Sequence, residues 1–184
     1  VEVVMPTSYG AVIEDLLSGA VDLARLGPAA YVSAKKQDPG ITAFATVSRK
    51  MPGQAEEDTF YHSVLIVRSN GPYQTIESLR GKSLALVDPD STSGALIPRH
   101  VFPRVIQTPL EKYFGQLVYS GAHDQSMQNL KKGKIDAAFI SSASLAVPVA
   151  NSGVKTEDFR VLWRSAAIPR NPFVLRSRLC ADIK

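Results

Sequence analysis

Cysteine is almost missing: Cys180 stands alone in 184 residues. No disulfide can form within the chain, and the redox compartment stays open. No apolar run approaches the ~20 residues that cross a bilayer, and no signal-peptide pattern opens the chain. The charge surplus is small. Lys plus Arg number 21 against 17 Asp plus Glu, a net +4, and the basic residues are scattered in pairs such as Lys35-Lys36 and Lys131-Lys132. A nucleic-acid-binding stripe is therefore not expected. The three histidines, His62, His100 and His123, lack metal-ligand spacing, so neither a metal nor another cofactor is expected. No G-x-S-x-G elbow is present. Adjacent His123-Asp124 cannot easily align as base and orienter, which argues against a serine hydrolase. What remains is ordinary globular composition, 45% apolar and 21% charged, enough for one medium domain or two small lobes.

Strand and helix patterns alternate along the chain. Val1–Met5 reads as a strand, and this abrupt opening suggests a chain cut from something longer. Tyr9–Ser18 reads as a helix stopped by Gly19, Val21–Leu26 as a strand, and Pro28 to about Lys36 as a helix that begins on a proline. Ile41–Val47 is a strand, Arg49–Thr59 a polar loop, Tyr61–Val67 a strong strand, Ile76–Leu79 a short helix and Ser83–Val87 a strand. Pro98 and Pro103 interrupt the next helix. Leu117–Tyr119, Ile135–Ile140 and Arg160–Trp163 read as strands, with a helix over His123–Lys132, a helix of small residues after Ile140, and a proline-marked tail from Pro169. This order predicts an α/β fold with mostly parallel sheets.

Two stretches resemble each other. Ile13, Leu16, Gly19, Val21, Asp22 and Ala24 recur at the same spacing as Met127, Leu130, Gly133, Ile135, Asp136 and Ala138. Each is an amphipathic helix, a glycine stop and a short apolar strand. The bland reading is that any helix–glycine–strand unit looks alike. The sharper one is two equivalent lobes, in which Tyr9 matches His123 and Gly27 matches Ser141, all near strand ends or helix starts where open α/β sheets bind ligands.

The richest chemistry lies at Ser91-Thr92-Ser93-Gly94, after a strand and the Asp88-Pro89-Asp90 turn. Ser91 suits a helix N-cap, Thr92 and Ser93 add hydroxyl donors, and Gly94 offers close approach to backbone N–H groups that favour an anion. The alternative is a plain capped helix. His123 opens a helix and could donate to an anion or stand exposed in a loop. Tyr61 could cross between lobes or be a core aromatic with its hydroxyl at the edge.

In order and spacing, these segments resemble the phosphate/phosphite/phosphonate-binding proteins of ABC importers, the PhnD-like solute-binding group. The similar stretches are Val1-Glu2-Val3-Val4 with Tyr9; Val21-Asp22-Leu23-Ala24 with Leu26-Gly27-Pro28; Tyr61-His62-Ser63; Leu79-Arg80-Gly81-Lys82; Asp88-Pro89 with Ser91-Thr92-Ser93-Gly94; Gly121-Ala122-His123-Asp124; Gly133-Lys134-Ile135-Asp136; and Leu162-Trp163-Arg164-Ser165 with Ile168-Pro169. The resemblance implies an α/β, two-lobed periplasmic-binding-protein-like (type II) clamshell lacking the family's first strand and helix and its C-terminal helices. One lobe would span 1–70 plus 164–184, the other 71–163, with two crossing strands as hinge. The ligand-binding residues carried over are Tyr9, Tyr61, Ser91, Thr92, Ser93 and His123. The implied partners are a small phosphorus oxyanion and the membrane permease of an ABC transporter, and the implied location is the periplasm or a cell-surface lipoprotein.

Family members that take aminoalkylphosphonates place carboxylates where this chain reads Ser141-Ser142-Ala143 and Arg170-Asn171. An ammonium would be buried unpaired there, so a ligand without an amine is expected: phosphate, phosphite or a simple alkylphosphonate. Pro103 adds a break that could shift the binding helix. The rival readings are a sensor domain of the same fold, a hydrolase, and a fragment with no competent site.

Overall fold

The computed structural model describes residues 2–48, 59–147, 149 and 152–179. Two compact units form, Val1–Phe60 with Pro169–Lys184, and Tyr61–Ile168. The expected boundaries at 70/71 and 163/164 sit inside the second unit, because the strands just within them pair with each other and with that unit's other strands. The expected loop at Arg49–Thr59 lies, apart from Thr59, outside the described residues.

In the first unit, helix α1 (Tyr9–Ser18) starts where the Ser8 hydroxyl accepts from the Ala11 N–H at 3.1 Å. It stops at Gly19, whose φ of 82° a side chain would disfavour. Strand β1 (Leu23–Arg25), helix α2 (Pro28–Gln37) and strand β2 (Thr42–Thr46) follow. The core joins Ile13, Leu16, Ala24, Leu26, Ala30, Ala34, Ile41 and Val174. Val174 comes from a strand that the proline-marked tail does not predict. That tail forms β9 (Ile168–Pro169) and β10 (Pro172–Leu175), and β10 is the middle strand of the sheet β1-β10-β2. Pro172 stands at the strand's first position, where a missing N–H is tolerated, and Phe173-Val174-Leu175 supplies the apolar run. The opening stretch corrects the sequence reading in the other direction. Glu2–Met5 joins no strand, and Val3 and Met5 are 78% and 86% exposed. Without a paired neighbour an extended segment gains no ladder bonds.

The second unit is built on a five-stranded sheet of order β6-β5-β7-β4-β8. Its strands are β4 (Ser63–Arg68), β5 (Ser83–Leu86), β6 (Gln116–Tyr119), β7 (Ala137–Ser141) and β8 (Phe159–Arg164); β3 (Phe60–Tyr61) pairs instead with β9. The sheets are mixed, not mostly parallel. β5 runs parallel to β6 and β7, while β4–β7, β4–β8, β1–β10 and β10–β2 are antiparallel. Strands reached by a chain that leaves a unit and returns enter from the opposite side, and alternation of helix and strand does not record that.

Apolar runs explain the sheet's depth. Val64-Leu65-Ile66-Val67 is buried on both faces, as a central strand requires. One face packs Leu65, Leu84, Leu86, Phe102 and Phe139, the other Val64, Ile66, Met127, Leu130 and Ile140. Phe102, Phe139 and Trp163 meet edge to face, with centroids 5.0 to 5.9 Å apart. The prolines organise the stretch between β5 and β6 rather than spoil it. Pro98 falls in the first turn of α3 (Ile97–His100), Pro103 begins α4 (Pro103–Ile106), and Pro109 precedes α5 (Leu110–Tyr113). The break at Pro103 thus falls beyond the helical segment Thr92–His100.

Helix α6 (His123–Lys131) and short helix α7 (Ser142–Leu145) flank β7. At the start of that segment the Asp136 carboxylate accepts from the Ser83 N–H at 3.0 Å and its hydroxyl at 2.8 Å. Asp136→Ala leaves both donors short of a partner in a half-buried site and is expected to cost about 1–3 kcal/mol. Chemical denaturation checks this; an unchanged midpoint would show that the pair contributes nothing.

Candidate functional site

The parallel strands β6, β5 and β7 end on one edge of the second unit's sheet, the edge at which open α/β sheets bind ligands. The chain leaves β5 into Asp88–Gly94, β6 into Ser120–His123, and β7 into Ser141-Ser142. The first two exits are tied together: the Ser120 N–H donates to Leu86 O at 2.9 Å and the Gly121 N–H to Val87 O at 2.7 Å.

The Ser91–Gly94 turn divides its labour. Ser91 is the N-cap, its buried hydroxyl accepting from the Gly94 N–H at 3.1 Å. Thr92 is half-buried and Ser93 is 2% exposed. The helical segment opens with a widened turn, in which the Leu96 N–H reaches back five residues to Ser91 O at 3.0 Å. Pro98 gives a physical reason for the departure from regular spacing. It has no N–H to offer Gly94 O, which accepts instead from the Val87 N–H at 3.0 Å. The N–H groups of such a first turn point out of the helix start.

Gly94 has a packing role that its sequence context does not reveal. A Cβ there would lie 2.4 Å from Val87 Cγ2 and 2.9 Å from the Ser91 hydroxyl. The glycine is needed so that the turn can pack on the end of β5.

His123 is the first residue of α6, and its Nδ1 accepts from the Ser141 N–H at 3.2 Å. Burial pulls its pKa down to about 4, with Asp124 acting weakly the other way. Ser141 is the N-cap of α7, its hydroxyl accepting from the N–H groups of Ala143 and Ser144 at 3.1 and 3.4 Å.

Register brings these parts together. Ser141 stands opposite Ser63 in the β4–β7 pair. The Ser63 hydroxyl, fully buried, donates to Ser93 O at 2.6 Å. One cross-strand pair therefore holds Ser93 through Ser63 and His123 through Ser141. Ser91, Thr92, Ser93 and His123 are gathered at one sheet end. Tyr61, two residues before Ser63, is 7% exposed in β3. Tyr9 is the first residue of α1 in the other unit, matching the place of His123 in α6, and Gly27 caps α2 as Ser141 caps α7. These helix starts and cap positions match between the two stretches, although Gly27 has no side chain to cap with.

The supporting residues were not foreseen. Ser165 accepts from the Ser63 N–H at 3.0 Å through its hydroxyl and donates its own N–H to Ser63 O at 2.9 Å. The Ser142 hydroxyl accepts from the His62 N–H at 2.9 Å, and the Ser142 N–H donates to His62 O at 2.8 Å. The only signal for Ser63 is a hydroxyl residue leading an otherwise apolar strand. Among the described residues, no group of three His, Cys, Asp or Glu is placed to hold a metal ion, and no helix is long and apolar enough to cross a membrane.

The second, mixed α/β unit thus gathers hydroxyl, peptide and imidazole groups at one end of its sheet. The chain belongs to the family described as ABC transporter, phosphonate, periplasmic substrate-binding protein, whose model matches residues 1–184. It is 27% identical to the phosphate-import protein PhnD of Mycolicibacterium smegmatis, over 100% of this chain and 58% of that protein. It is also 27% identical to the phosphonates-binding periplasmic protein of Escherichia coli K12, over 96% of this chain and 51% of that one. It thus spans between half and three-fifths of the curated relatives it matches. The fold matches the crystal structure of a binding protein component of an ABC phosphonate transporter from Pseudomonas aeruginosa, with a TM-score of 0.86 at 22% identity over 99% of this chain and 59% of the other. It also matches PhnD1 of Prochlorococcus marinus in complex with methylphosphonate, with a TM-score of 0.77 at 19% identity over 96% and 64%.

Proposed function

We propose that the protein is the solute-binding component of an ABC importer, and that it captures a small phosphorus oxyanion without an amine: phosphate, phosphite or a simple alkylphosphonate. The observation that carries this reading is the Ser63–Ser141 register, which holds the Ser93 turn and His123 at one sheet end. A tetrahedral oxyanion accepts hydrogen bonds on every oxygen. Thr92 and Ser93 supply hydroxyl and peptide donors, His123 a ring donor, and Ser91 shapes the turn. Tyr61 adds a phenol donor. The chemistry is capture, not turnover: the loaded protein passes its cargo to a membrane permease from a periplasmic or membrane-anchored position.

Hydrogen bonds to a charged group contribute about 1.5–3 kcal/mol each. Ser93→Ala and His123→Ala should therefore each weaken binding by roughly 10- to 150-fold. Calorimetry with phosphate, phosphite and methylphosphonate tests this. Unchanged affinity in both variants would place the ligand elsewhere, and no heat from any of the three would end the oxyanion reading.

A further inference from the structure

We propose that the Ser141 peptide N–H is a positioning group that locks His123 as the neutral Nε2–H tautomer, so that the ring meets its ligand as an uncharged donor facing an oxygen that carries no proton. This rests on the oxyanion reading above for its second half; the first half stands on the geometry of the ring.

A peptide N–H has only a proton to offer. At 3.2 Å from Nδ1 it needs a lone pair there, so that nitrogen is unprotonated. The one ring proton must then sit on Nε2, which leaves a donor and no acceptor for the ligand. Ser141 cannot turn away from this task. It is fixed by its pairing with Ser63, and its hydroxyl is occupied by Ala143 and Ser144. An imidazolium would carry an Nδ1–H pointed at the Ser141 N–H, two donors face to face.

The charged groups on the surrounding elements do not reverse this. Asp124, the next residue on α6, favours the charged ring, but burial outweighs it. The Asp124 carboxylate accepts from the Gln125 N–H at 2.9 Å. Arg68, at the end of β4, is bound to the carbonyls of Leu130 and Ile135 near the opposite end of α6. β7 carries no ionisable side chain. In the turn before Ser91, the Asp88 carboxylate accepts from the Asp90 N–H at 2.9 Å.

The ligand-side consequence is specific. Hydroxyls of Thr92 and Ser93 can accept as well as donate, but a neutral ring that presents only Nε2–H cannot take a proton from a P–OH group. The oxygen facing His123 has to be bare. A P–OH group can still be taken by those hydroxyls, so the ring sets which oxygen faces it and adds no titration near its ordinary value of about 6.5 to the pH dependence of binding.

Two measurements on the full chain separate the halves. Long-range proton–nitrogen spectra of the unliganded protein at pH 7 should show His123 with a bare Nδ1 and a protonated Nε2. An Nδ1–H signal, or rapid exchange between tautomers, overturns the lock whatever the ligand is. Next, methylphosphonate affinity is measured from pH 5.5 to 8.5 for the wild type and for His123→Gln, whose amide stays neutral. Dividing one profile by the other removes the ligand's ionisation. A ratio constant within threefold is expected. A ratio that rises tenfold or more toward pH 5.5 would mean that the ring binds as imidazolium, and overturns the neutral donor. A wild type that binds no oxyanion at any pH, with the tautomer as stated, refutes the oxyanion reading and with it the ring's role toward a ligand, while the lock stands.

Discussion

Methylphosphonate is expected to bind at least about a hundredfold more tightly than 2-aminoethylphosphonate. The argument is one of desolvation. Burying an ammonium without a carboxylate partner costs several kcal/mol, and each 1.4 kcal/mol is a factor of ten. At the start of α7 the chain presents Ser141-Ser142-Ala143, and the side chains of both serines are engaged: Ser141 by the N–H groups of α7, Ser142 by the His62 N–H. No acidic residue lies in the first turn of α7. The second stretch, Arg170-Asn171, sits beside β10, and the Arg170 N–H donates to Thr59 O at 3.3 Å. Competition calorimetry measures the ratio directly. Equal affinity would mean that a carboxylate on a neighbouring loop, Asp88 foremost, reaches the amine. It would move the specificity from these two stretches to that turn.

The second large effect is on stability. Gly94→Ala places a methyl 2.4 Å from Val87 Cγ2 and 2.5 Å from Val87 Cβ. Val87 is fully buried at the end of β5 and cannot give way cheaply. Overpacking of this kind costs about 1–3 kcal/mol, sometimes more, and the widened turn and the Val87–Gly94 hydrogen bond would move with it. A reduced denaturation midpoint is expected, together with weaker oxyanion binding. The double variant Val87→Ala/Gly94→Ala should lose less than the sum of its parts, since residues in contact couple. Full additivity would show that the two do not share that space.

Much of this was legible in the residues because it is local. The glycine stops and helix starts of α1 and α6 follow from spacing alone, and the repeat correctly pairs Tyr9 with His123 and Gly27 with Ser141. The capping role of Ser91 is a local rule as well. What escaped was long-range. β10 was hidden by its prolines, and only its place between β1 and β2 makes it a strand. Val1–Met5 has the pattern of a strand, but no described strand pairs with Glu2–Met5. That Gly94 also has to make room for Val87 is invisible until the end of β5 is placed against the turn. Ser63 supports the site through a partner 30 residues away in sequence, and its own hydroxyl carries no mark of that role.

The most direct test is to follow backbone amides and the His123 ring by nuclear magnetic resonance while methylphosphonate, and separately inorganic phosphate, is titrated in. The account predicts that the Thr92 and Ser93 amides and the His123 Nε2–H shift together, saturating at one common affinity. Shifts confined to other strand ends, with these three groups unmoved at saturation, would contradict it.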